Sequence, residues 1–146
     1  MITFTSDFTV KEIRDAVVVW SESLAAGRYG DALEMFEIST ESFPIIWSPE
    51  LFEEWVCNYG MLRADYDDGT HHRVTSLFDL PNPSTYIDAI RVERTFEGRD
   101  PNRYVGWVEY DDVPLDGQPS DLTARFFIIK MPDGRITLEF LDIHVM

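Results

Sequence analysis

Apolar positions recur every three to four places through the first sixty residues, and every two places through most of the remainder. Val10, Ile13, Val17, Trp20 and Leu24 form one stripe, the spacing of a helix that buries a single side. Thr9 and Glu12 stand at capping-box spacing with Phe8 just before the cap, so the helix starts near Thr9, and Gly27 is its natural stop. Val18 and Val19 fall off the stripe and predict a contact on a second side. A short helix follows around Asp31 to Glu37, with Ala32, Leu33 and Phe36 on one face. Ser48 as N-cap, Pro49 at the first helical position and Glu50 at the positive dipole end start a third helix. Its buried arc is Leu51, Phe52, Trp55, Val56 and Tyr59, and Gly60 ends it.

Beyond Gly60 the pattern changes. Asp65-Tyr-Asp-Asp-Gly69 reads as a turn, residues 72–79 as a first strand, and Pro81 and Pro83 as loop markers. From Tyr86 the chain alternates, with Ile90, Val92 and Phe96 on one face and Arg91, Glu93 and Thr95 on the other. A turn over 98–102 precedes an aromatic-rich strand from Tyr104 to Tyr110, and a loop spans 114–120. Strands over 123–131 and 135–145 flank the hairpin turn Pro132-Asp-Gly134. In the last strand Ile136, Leu138 and Phe140 lie on one face and Leu141, Ile143 and Val145 on the other. A strand apolar on both sides is expected to be central or covered on both faces, and a second copy of the chain is one way to cover it. The order predicts one α+β domain over 1–146: three N-terminal helices, about 9–60, packed on an antiparallel sheet of four to six strands, about 71–146.

The segment Ala26-Gly-Arg-Tyr-Gly-Asp-Ala-Leu-Glu-Met-Phe36, set between helices, and the tail Leu138-Glu-Phe-Leu-Asp-Ile-His-Val145 carry a resemblance. With the helices-then-sheet order, the chain resembles the nuclear transport factor 2-like superfamily of cystatin-like cones, as a small bacterial member. The resemblance implies a curved sheet closed on one side by helices. It also implies a superfamily that holds isomerases, cyclases and dehydratases alongside non-catalytic binding domains, so fold does not choose the function.

Composition narrows the choices. At 146 residues a real core forms without metal or disulfide support, and Cys57, the single cysteine, fits a cytoplasmic protein. The N-terminus carries no basic region and long apolar run of the signal-peptide kind, and no stretch approaches the roughly 18 apolar residues of a membrane span. Twenty-seven acids against 12 bases leave a net charge of −15. Such a surface repels phosphate backbones and anionic lipid, so neither nucleic acid nor membrane is an expected partner, whereas a basic protein is.

Chemical motifs are few. The carboxylates before Gly69 fail as a calcium loop, because with Gly69 as sixth position Ala64, Tyr66 and Thr75 fall where ligands are needed. His71 and His72 are adjacent and would point to opposite sides of a strand, so no metal site and no cofactor is expected. Cys57 shares a helix side with Glu50 and Glu53, which disfavours a thiolate. Asp142 and His144 lie two apart, on the face expected to hold Ile136, Leu138 and Phe140. If that face lined a pocket in the cone, the pair would suit general base catalysis. Acids also cluster with aromatics: Glu53 and Glu54 beside Phe52 and Trp55; Asp65, Asp67 and Asp68 beside Tyr66; Trp107, Glu109, Asp111 and Asp112 beside Tyr110. Aromatics anchor interfaces and acids steer basic partners. The expected function is a non-catalytic, protein-binding domain, in its most concrete form an immunity-type protein that neutralises a basic toxin. The alternatives are an isomerase- or cyclase-like enzyme using Asp142 and His144, and a homodimeric structural module.

Overall fold

The computed structural model describes residues 1–42, 45–62, 65 and 69–145. Local capping starts the helices where the sequence places them. Helix α1 is Val10–Ala25; the Thr9 hydroxyl accepts from the Glu12 amide at 3.1 Å while the Thr9 amide donates to the Glu12 carboxylate at 3.0 Å. Its stripe of Ile13, Val17, Trp20 and Leu24 is buried. Val18 is buried too, but Val19 is 49% exposed, so the second-side contact holds for Val18 alone. Helix α2 is Tyr29–Met35, beginning two residues earlier than expected, and β1 is Glu37–Ile38. Helix α3 is Pro49–Cys57, capped by Ser48, whose hydroxyl accepts from the Leu51 amide at 3.1 Å.

The stretch between α3 and the sheet departs from expectation. Residues 72–79 form no strand. Val74 makes one isolated bridge to Leu115, and Leu77–Asp79 is a 3-10 turn. Side-chain acceptors and the 3-10 turn compete with a ladder here. The Glu22 carboxylate of α1 accepts from the Leu77 amide at 2.9 Å, taking that backbone donor, and from Ser76 Oγ at 2.8 Å, which fixes the segment against the helix. Pro83, expected in a loop, opens a fourth helix, α4, Pro83–Asp88. The alternating pattern after Tyr86 yields only a short strand, β2, Arg91–Glu93. Strands β3 (Tyr104–Tyr110), β4 (Leu122–Lys130) and β5 (Ile136–Val145) match the sequence pattern within a residue or two.

The five strands form one open sheet in the order β1-β5-β4-β3-β2. The sheet is mixed rather than antiparallel, because β1 runs parallel to β5, pairing Glu37 with Glu139 and Ile38 with Phe140. The C-terminal strand is thus flanked on both sides. Its outer edge is occupied piece by piece: Phe4 exchanges two backbone bonds with Ile136, the Ser39 amide donates to Phe140 O, and Trp55 Nε1 donates to Ile143 O at 2.5 Å. An edge that would otherwise template pairing with another chain is consumed.

Helices α1 and α3 pack on one side of the sheet, and the space between is full. Trp20 meets Phe126 edge-on at 5.1 Å and Phe140 at 5.6 Å, and Phe52 closes on Phe140 at 5.4 Å. Trp20, Phe52, Phe126 and Phe140 are each 1% exposed or less.

Candidate functional site

The site follows from one irregularity in β5. Opposite β4, Phe126 pairs with Phe140 but Arg125 pairs with Asp142, so Leu141 is an extra residue, a β-bulge. Before it, Ile136, Leu138 and Phe140 face the helices. After it the phase slips by one, and Ile143, wholly buried opposite Ala124, returns to the helix side. Two expectations change. Asp142 and His144 do not share a face with Ile136, Leu138 and Phe140; the bulge turns them to the opposite, outer side of the sheet. The second apolar face of the last strand also dissolves, and with it the reason given for covering it with another subunit. The strand is apolar on one face whose phase shifts midway.

The outer side is built in rows across the strands. One row runs Arg91, Glu109, Arg125, Asp142, each registered opposite the next. Its charges alternate in sign, the arrangement that favours cross-strand pairs. Arg125 grips Asp142 with both arms of its fork, Nε to Oδ1 at 2.9 Å and Nη2 to Oδ2 at 2.5 Å. Arg91 reaches Glu109 at 3.9 Å and lies 5.4 Å from the centre of the Trp107 ring. The neighbouring row holds Glu93, Trp107, Phe127 and Glu139. Glu139, 5% exposed in its side chain, is paired with Arg103 at 2.6 Å. A buried carboxylate with one partner is the kind of group that destabilises strongly once that partner is removed.

The loop between β2 and β3 rises over these rows and makes a groove of about 470 Å³, lined by Phe96, Arg99, Trp107, Glu109, Arg125 and Phe127. Beyond Arg125 and Leu141 lies a smaller recess of about 260 Å³, where Trp47, Trp55, Asp142 and His144 meet. His144 Nδ1 is 3.2 Å from Asp142 Oδ1. The carboxylate can therefore orient the imidazole. Both of its oxygens are already engaged by Arg125, whose charge offsets the negative charge that a general base would draw on. Trp55 Nε1 is satisfied by Ile143 O, whereas Trp47 Nε1 is buried with no hydrogen-bond partner among the described residues, at a cost of about 1–3 kcal/mol.

The three acid and aromatic clusters read from sequence separate. Phe52 and Tyr110 are core residues, Tyr110 hydrogen-bonded to Ser21 at 3.1 Å, so neither anchors an interface. Glu53 is exposed and Glu54 half-buried on α3, and Asp65 is exposed. Asp67 and Asp68 lie outside the described residues. Trp107 and Glu109 join the outer face, in the company of arginines rather than acids alone. Asp111 sits at the end of that face, accepting from Thr123 Oγ1 at 3.0 Å. Asp112 lies in the following turn, where burial, then the charges of Asp111 and Asp121, hold its carboxyl above the ordinary range. Cys57 is partly buried, with the Tyr29 hydroxyl 3.7 Å from its Sγ. Among the described residues no group of three or more His, Cys, Asp or Glu is placed to hold a metal ion. Among them also, no helix is long and apolar enough to cross a membrane.

Sequence reasoning missed the arginines. Arg91, Arg99, Arg103 and Arg125 are four of ten in the chain, and all four meet on the outer face. The alternation at Arg91 and Glu93 was a signal; their partners depend on register, which no local pattern supplies. No protein-family model, curated protein or solved structure matches the chain.

Proposed function

We propose that this protein is a non-catalytic, cytoplasmic binding domain whose outer sheet face docks a basic protein. The observation that carries the reading is the contrast in filling. The interior between helices and sheet, where a cone-shaped enzyme would hold its substrate, is occupied by Trp20, Phe52, Phe126 and Phe140. The other side carries an open groove with a partly exposed tryptophan in its lining. A rigid aromatic anchor ringed by paired charges is a construction suited to protein recognition. The net charge of −15 favours a cationic partner and speeds its encounter. An immunity-type protein that neutralises a basic toxin is the most concrete form, on a nuclear transport factor 2-like cone. The test is co-purification from the source cell with wild type, Trp107→Ala and Glu109→Lys, the second of which reverses an acidic charge in the groove. A basic protein retained by wild type in low salt, and lost by both variants, is expected. Retention undiminished in Trp107→Ala, or indifferent to salt, overturns the reading.

A second reading rests on the recess at His144, where Trp47, Trp55 and the Asp142–His144 pair surround about 260 Å³. There a small molecule, not a protein, is the occupant. A thermal-shift screen of fragments decides it: hits should lose their effect in His144→Ala, and hits insensitive to that change count against the recess.

A further inference from the structure

One cationic site on the outer face is already filled, by the protein itself. The Arg99 guanidinium carbon stands 4.6 Å from the centre of the Phe127 ring, 5.2 Å from Tyr104 and 5.6 Å from Phe96. Phe127 meets the other two rings nearly at right angles, 79° to Phe96 and 83° to Tyr104. Such walls present ring faces and edges around one point rather than a stack. The fourth side is Glu41, from the 3-10 turn after β1, whose Oε1 is 2.6 Å from Arg99 Nη1. Three rings and a carboxylate converging on a planar cation form an aromatic cage, a device for recognising cationic groups.

The four parts of this cage come from separate places. Phe127 is fixed in the middle of β4, Tyr104 at the start of β3, Phe96 in the loop and Glu41 across the groove. Its occupant is less firmly held. Arg99 projects from a loop turned by Gly98 at φ +88°, and its side chain keeps 32% of its exposure. Ion pairs and cation–π contacts that solvent still reaches each hold their partners weakly. Arg99 is therefore held by small increments and can be exchanged.

We propose that the cage receives an arginine side chain of the partner, and that Arg99 keeps the place in the free protein. The inference rests on the outer face being the docking surface, and it names the chemistry that surface selects: a guanidinium group. The fork of a guanidinium matches Glu41 while its plane lies on Phe127, a combination an ammonium point charge does not reproduce. Partner binding then exchanges one arginine for another, and the groove opens as Arg99 swings out.

The experiment removes the internal competitor. Arg99→Ala and wild type are titrated with N-acetyl-arginine amide, reading the ring resonances of Phe96, Tyr104 and Phe127 by NMR. N-acetyl-citrulline amide, of the same shape without the charge, is the control. A tethered occupant competes at an effective concentration in the millimolar range, so its removal should tighten arginine binding about tenfold or more. Arg99→Ala carrying Glu41→Gln or Phe127→Leu should lose the gain. If the loop moves in Arg99→Ala, Arg99→Gln keeps the side chain as far as Cδ but lacks the guanidinium, and should behave alike. Binding no tighter than wild type in both single variants, or equal binding of citrulline, overturns the cage. Retention of the partner by Trp107→Ala bears on the docking face alone, so the two failures are told apart.

Discussion

The two faces of one sheet are built on opposite rules. Alternate residues of the same strands supply both. The helix side takes Leu122, Ala124, Phe126 and Ile128 from β4 and Leu138, Phe140 and Ile143 from β5, all at most 1% exposed. The outer side takes Thr123, Arg125 and Phe127, then Glu139, Asp142 and His144, joined by ion pairs and ring contacts. The difference shows where free energy and where recognition reside. Apolar burial on one side holds the fold, while paired charges on the other contribute little net energy and determine what can dock.

The largest effect that would break this comparison is on the helix side. Phe140→Ala should cost about 3–5 kcal/mol in urea unfolding, against about 1 kcal/mol or less for Trp107→Ala. Similar losses would mean that the outer face shares the load. Arg103→Met should cost about 3 kcal/mol by stranding the buried Glu139, and the double change with Glu139→Met should recover most of it. A double variant as unstable as the single would show that the charge was not the cause. Deleting Leu141 tests the bulge itself. Phe126 still faces Phe140 and Arg125 still faces Asp142 without the extra residue, so Ile143 stays on the helix side and the deletion should cost about 1 kcal/mol, much as Leu141→Ala does; a loss of about 3 kcal/mol would show that the register depends on the extra residue.

Smaller effects sharpen the contrast. Trp47 and Trp55 touch edge-on, 5.6 Å apart, yet one indole is bonded and the other is not. Trp55→Phe should lose about 1–2 kcal/mol with the bond to Ile143 O, while Trp47→Phe sheds an orphaned donor and should be near neutral or stabilising. Thermal melts of the two variants give the order.

The smallest effect depends on pH. Asp112 and Asp116 both take left-handed backbone conformations, φ 60° and 53°, in the connection between β3 and β4. His72 Nδ1–H donates to Asp116 at 2.7 Å, and this bond is the main reason its carboxyl lies below the usual range. Its stabilisation is present above the unfolded carboxyl value of about 4 and is lost as pH falls through the lower folded value. Asp112 behaves oppositely. Its raised value is a penalty present at neutral pH and relieved as pH falls through it. At pH 7, Asp116→Asn should lower stability and Asp112→Asn raise it, each by about 0.5 kcal/mol after allowance for solvent screening. The Asp112 difference should fade first as pH falls and the Asp116 difference last, and shifts of equal sign at pH 7 would refute the assignment.

Much of the fold was legible because its signals are local. Thr9 with Glu12, and Ser48 with Pro49, start helices through bonds three residues long. Pro132-Asp-Gly134 joins two strands whose bounds the pattern gives closely. The stretch 72–79 misled because Glu22, more than fifty residues earlier, takes the Leu77 amide and ties Ser76 to α1. The site was less legible. Asp142 and His144 were singled out correctly as neighbours, 3.2 Å apart, but on the wrong face. A sign of the bulge was present in the adjacent apolar pair Phe140-Leu141, which marks a change of phase as readily as a two-sided strand. Arg99 and Phe96 carried no sign at all, since a cage assembled from a loop, two strands and a turn has no sequence period.

By itself, then, the sequence determined the starts of α1 and α3, the hairpin of the last two strands and the acidic balance of charge. Each depends on bonds a few residues long or on composition. Only the tertiary structure decided that β1 runs parallel to β5, that Leu141 is extra, and that arginines gather beside Trp107. Those outcomes depend on which distant strands pair and in what register. Register is settled by burying Ile143 and Phe140 in one core, Phe140 against Trp20 and Phe52, a choice made by the whole core at once.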